Sequence, residues 1–81
     1  MMHKYYFHFV GKADDVAIDE EGSEFPHDAA AMQYAMETAR GLAAEFVSDG
    51  DTIAGQRIEV MEGLRRVGFV DLRDAVKMNG S

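Results

Sequence analysis

Residues 28–48, DAAAMQYAMETARGLAAEFVS, place apolar side chains at Met32, Ala35, Met36, Ala39, Leu42, Ala43 and Phe46. Steps of three and four bring these onto one stripe of an α-helix. Pro26 stands just ahead of it, with His27 or Asp28 as the N-cap, and Gly50 follows where a left-handed C-terminal cap belongs. At about 1.5 Å per residue the helix is roughly 30 Å long, enough to cross a small sheet. The flanking segments must supply that sheet.

Toward the N-terminus, DEEGSE (19–24) is a polar, Gly-containing break, Val16–Ile18 a short strand and Gly11–Asp15 a turn. KYYFHFV (4–10) alternates at the strand period, with Tyr5, Phe7 and Phe9 on one face and Lys4, Tyr6, His8 and Val10 on the other. Toward the C-terminus, SDGDTIAGQ (48–56) leads to a strand over Arg57–Met61 with Ile58 and Val60 on one face. Glu62-Gly63 offers a tight turn into a partner strand over Arg66–Val70. Asp71 then caps a short helical turn to Val76, and residues 77–81 read as a frayed tail.

The resulting order is β-β-α-β-β: one long amphipathic helix on one face of a small, mostly antiparallel sheet, a two-layer α+β fold. At 81 residues a single domain is expected, with its ordered part over about residues 3–76. The expected core is Tyr5, Phe7, Phe9, Val16, Ile18, the helix stripe, Ile58, Val60, Val67 and Phe69. The opposite face of the sheet would carry Tyr6, His8, Val10, Ala17, Met61 and Val70 among Lys4, Arg57, Glu59 and Arg66.

Fifteen acidic against eight basic residues give a formal charge of −7. Nucleic-acid affinity comes largely from Lys and Arg on phosphates, and anionic membrane surfaces attract basic segments, so neither is an expected partner. The chain has no cysteine, which removes disulfides, iron–sulfur clusters and thiolate zinc sites. The first ten residues lack the features of a secretory signal, and a cytoplasmic location is expected.

Candidate chemistry is sparse. His8, beside Tyr6, could act as a base, a ligand or a pH-sensitive contact, or be a half-exposed strand histidine satisfied by a neighbour. The acidic segment beginning at Asp19 puts Glu24 and Ala30 where a calcium loop needs Gly and Glu, so no such loop is expected. His3, His8 and His27 lack the spacing of a zinc site, and neither metal nor cofactor is expected. No serine or threonine sits in a nucleophile-elbow or P-loop context, so no catalytic residue is assigned and an enzyme is not expected.

Several segments together resemble a family of short alphaproteobacterial proteins with no established activity. They are YYFHF (5–9), DEEGSEFP (19–26), AAAMQYAMETARGLAAE (29–45), GQRIEV (55–60) and VGFVDLRDAV (67–76). That family places an acid directly after the proline, where this chain has His27 and then Asp28, and its last hairpin is longer than Met61-Glu62-Gly63 allows. The resemblance implies an architecture and no mechanism.

Two surfaces suit contact with another protein. One is the open sheet face at Tyr6, His8, Glu59 and Met61; the other is a line of mostly small residues on the outer helix, Ala30, Tyr34, Gly41 and Ala44. A small chain with no covalent staple has reason to self-associate. The leading expectation is a non-catalytic protein–protein interaction module that forms a homodimer, and a partner with a basic surface also suits the charge. The alternatives are a small-molecule or metal-ion binding protein or weak enzyme around His8, and an antitoxin-like regulator of a basic partner.

Overall fold

The computed structural model describes residues 1–79. Strand β1 (His3–Val10) leads through a short 3-10 turn to β2 (Val16–Ala17) and β3 (Ser23–Phe25). Helix α1 (Asp28–Ser48) follows, then the hairpin β4 (Arg57–Glu62) and β5 (Arg65–Asp71), and finally α2 (Leu72–Asn79). All strand pairs are antiparallel, in the order β2-β1-β4-β5, with β3 also on β1. The α+β class and the strand-strand-helix-strand-strand order hold. β3 and the full length of α2 are additions: the helical backbone continues past Val76 to Asn79, and Gly80–Ser81 of the expected tail lie outside the described residues.

The helix ends form as the sequence chemistry directs. His27 is the N-cap of α1, its Nδ1 accepting the Ala30 N–H at 3.1 Å. At the other end Asp51 N–H donates to Phe46 O (2.8 Å) and Gly50 N–H to Val47 O (3.0 Å), the paired bonds of a Schellman cap. Asp71 caps α2 by accepting the Arg73 N–H at 3.0 Å. Replacing His27 with Ala should cost about 1 kcal/mol in urea unfolding, because the amide it serves would lose its acceptor. His27→Ser should recover that loss; an unchanged His27→Ala midpoint would contradict the capping role.

The core differs from its expected list in informative ways. Ala31, Ala35, Ala39 and Ala43 are fully buried, while Met32, Met36, Leu42 and Phe46 pack around them half-buried. Small side chains at the centre of the stripe let α1 lie close to the sheet and to α2. From the strands, Tyr5, Ile58 and Val60 are buried as expected, and Phe7, Phe9 and Val67 pack against them. Val16 and Ile18 are instead exposed, since Val16 pairs with Val10 on the Tyr6/His8 side of β1, while Ala17, expected on that side, pairs with Phe9.

The largest correction is on β5. Met61 pairs with Arg66, but Val60 pairs with Gly68, leaving Val67 as an extra residue in a β-bulge. One inserted residue reverses the facing of everything after it. Phe69, expected inside, therefore lies opposite Glu59 on the open face and is 50% exposed, while Val70, expected outside, is buried opposite Ile58. Val10, also expected on the open face, is buried between its partners Val16 and Arg57. The hairpin turn is Gly63-Leu64, one residue later than expected; a positive φ at Gly63 alone is the type II′ pattern, which wants glycine first.

Candidate functional site

Both helices join a single core on one face of the sheet, which leaves the other face without a covering helix or strand among the described residues. Antiparallel register brings Tyr6 opposite Met61 and His8 opposite Glu59, so the four residues expected there do form one surface. The Tyr6 and His8 rings stack with centroids 6.4 Å apart. Phe69 joins them through the bulge, with the Arg66 guanidinium 5.2 Å above its ring. Glu59 is paired with Arg57 at 2.8 Å and approached by Arg66 at 4.0 Å. The face thus combines aromatic and thioether side chains with charges that compensate one another.

His8 has a structural engagement. Its Nδ1 accepts the Asp19 N–H at 3.0 Å, which places the ring proton on Nε2. The Asp19 carboxylate in turn accepts N–H groups from Phe7 (3.1 Å), Gly22 (3.1 Å) and Glu21 (3.2 Å). Partial burial by itself would raise the Asp19 pKa. The amides of Gly22, Phe7 and Glu21 and the nearby His8 outweigh that effect and hold it below the ordinary carboxylate range. Gly22 (φ +73°) is required in this loop, since a Cβ there would come within 2.9 Å of the Tyr6 ring and 3.0 Å of Tyr5 O. The acidic segment thereby acts as a strap: β2 and β3 pair the two ends of β1, and Asp19 serves the amide left between them.

A second cluster, which the sequence patterns do not signal, ties the start of α1 to β1 and to the hairpin. Tyr5 Oη donates to Asp28 Oδ1 at 2.7 Å, and the Arg65 fork donates to both oxygens of Asp28, at 2.9 and 3.1 Å. Arg65 also pairs with Glu62, whose other oxygen lies 3.1 Å from His3 Nδ1. Arg65 and then Tyr5, as donors, bring Asp28 down to about 2 against the small opposing effect of burial. Burial, followed by the bond to Asp28, pushes Tyr5 up to about 12. Asp28 first and then Glu62 raise Arg65 further. The cluster borders a cleft of about 420 Å³. A physical requirement does point to part of it: a tyrosine facing a core needs a partner for its hydroxyl, and the acid in the first turn of the helix is the group it reaches.

The outer helix residues are spread out. Tyr34 packs edge-on to Phe7 (5.0 Å) and close to Phe25 (5.2 Å), at the sheet side of α1. Ala30 is half-buried nearby, and a Cβ added at Gly41 would meet no atom within 4 Å. Ala44 borders a groove between α1 and α2 with Arg40, Val47 and Val76. Among the described residues no group of three or more His, Asp or Glu is placed to hold a metal ion, and no helix is long and apolar enough to cross a membrane.

No curated protein and no solved structure matches this chain. A family model does, over residues 4–73, which takes in all of the strands except His3, all of α1 and the start of α2. The chain therefore belongs to the DUF6894 family, described as a domain of unknown function.

Proposed function

We propose that the protein is a non-catalytic protein-contact module that self-associates through its open sheet face. The observation that carries this reading is the uncovered face itself, with Tyr6 opposite Met61 and, in the next row, the exposed Phe69 opposite Glu59 and His8. Two quantities support it. The molecule is only 16 Å across its thinnest axis, room for one sheet and one helical layer. It exposes 5247 Å², where about 4,850 Å² is usual for a monomer of its mass.

Charge supports a protein partner over a nucleic acid or an anionic membrane: the chain carries −7, and the arginines on the face are already paired or stacked. Phe69→Lys tests the reading. Loss of an interface aromatic costs about 2 kcal/mol or more, so the dimer dissociation constant should rise about 30-fold or more with the thermal midpoint of the monomer unchanged. An unaltered dissociation constant would move the contact off this face.

A second reading, a small ligand held at His8, has in its favour that the ring Nε2 makes no hydrogen bond among the described residues. His8→Ala should then abolish any ligand-induced melting shift while preserving self-association.

A further inference from the structure

The two edges of the sheet are built differently. On the outer side of β1, β2 covers Phe9 and Val10, β3 covers His3–Tyr5, and the Asp19 carboxylate takes the Phe7 amide between them. That edge is closed. The other edge is β5, seven residues long and paired only with β4. Unpaired edges invite another strand unless charges, bulges or a covering element blunt them.

β5 is blunted over half its length. Arg65, Arg66 and the bulged Val67 guard its start, whereas Gly68–Asp71 runs in regular register with β4 and presents Phe69, half exposed. The charges at the two ends of this segment are also under-used. Arg66 lies over the Phe69 ring and approaches Glu59 only at 4.0 Å, and Asp71, whose Oδ1 caps α2, makes no ion pair among the described residues.

We infer that Gly68–Val70 pairs antiparallel with the same segment of a second copy of this chain, about a two-fold axis at Phe69. This rests only on the self-association part of the proposed function: the contact lies at the β5 edge, where Phe69 belongs to the open face, and Tyr6 and Met61 stay outside it. Directly opposed residues of an antiparallel pair share a sheet face, so the axis passes through a residue, and at Phe69 it brings the two exposed aromatics together. Phe69 meets Phe69 on the open face, and Gly68 meets Val70 on the helix-covered face, consistent with their partners Val60 and Ile58. The same axis brings Arg66 beside Asp71 of the second copy, twice over. Two β-sheets become one continuous sheet, an isologous contact that closes on itself.

Because the chain has no cysteine, one substitution reads the axis directly. Residues facing each other across such an axis have Cα atoms about 4.5–5.5 Å apart, within the span a disulfide bridges. On mild oxidation Phe69→Cys should convert almost wholly to a disulfide-linked dimer at a concentration about 30-fold above that at which the unsubstituted protein dimerises, which offsets the lost aromatic contact. Leu64→Cys, at the fully exposed hairpin tip, should crosslink at least ten-fold more slowly. Equal rates at the two positions, with the unsubstituted protein dimeric by mass, overturn the β5 pairing and leave self-association standing. A monomeric unsubstituted protein overturns both.

Discussion

Truncating Leu72 to Ala should destabilise the fold by about 2–5 kcal/mol, the range for emptying a fully buried leucine site. Leu72 is 0% exposed and is the first residue of α2, where it enters the core shared by α1 and the sheet. Its amide donates to Gln56 O at 3.0 Å, so the backbone is held in place and has little freedom to collapse into the vacated volume. For a domain of this size the melting temperature should fall by about 10 °C or more. Leu64→Ala, at the exposed hairpin tip, is the control and should stay within about 0.5 kcal/mol of the parent. Equal effects of the two changes would mean that α2 is not part of the core. Total stability in such a chain is only about 0.05–0.15 kcal/mol per residue, which makes the Leu72 site decisive for folding.

Stability should decline at both pH extremes through Asp28 and Tyr5, two groups that share a hydrogen bond. The folded Asp28 carboxyl lies at about 2 against an ordinary 3.8, so its contribution is complete above 3.8 and disappears as pH falls toward 2. The folded Tyr5 phenol lies at about 12 against 10.0, so its contribution is complete below 10 and disappears as pH rises toward 12. Arg65 first holds Asp28 down and burial first pushes Tyr5 up, and the bond between the two adds to both limbs. Urea midpoints across pH should show a Tyr5→Phe variant without the alkaline limb and an Asp28→Asn variant with a shallower acid limb. If Tyr5→Phe retains the full alkaline decline, that decline belongs to another group.

Much of this architecture is legible in the residues, for reasons that are local. The α1 bounds, the Asp71 cap and the alternation of β1 depend on spacing within one element, and each forms as the sequence implies except at Val10, which is buried. What escapes depends on pairing between elements. Ser23–Phe25 has three residues and no pattern of its own, and it becomes a strand because β1 supplies partners. The bulge at Val67 is set by register against β4, and from that one residue the exchange of Phe69 and Val70 follows.

The candidate site shows the same division. Alternation alone puts Tyr6, His8, Glu59 and Met61 on one face, since all four precede the bulge or lie on the strands opposite it. By the same alternation Phe69 belongs to the core, and the fold instead makes it the most exposed aromatic of the open face. The Tyr5–Asp28–Arg65 cluster joins residues 23 and 37 positions apart, and no periodicity within a segment reports such a meeting. The outer helix line is a pattern of small residues, from which packing draws Tyr34 away toward Phe7 and Phe25.

The central claim, that this DUF6894 domain functions by contact with a second copy of itself, is tested most directly by absolute mass in solution. Light scattering behind a sizing column, over a concentration series, should give twice the 9.0 kDa chain mass at the upper concentrations and a decline toward the monomer on dilution. A constant 9.0 kDa up to the highest concentration would contradict it.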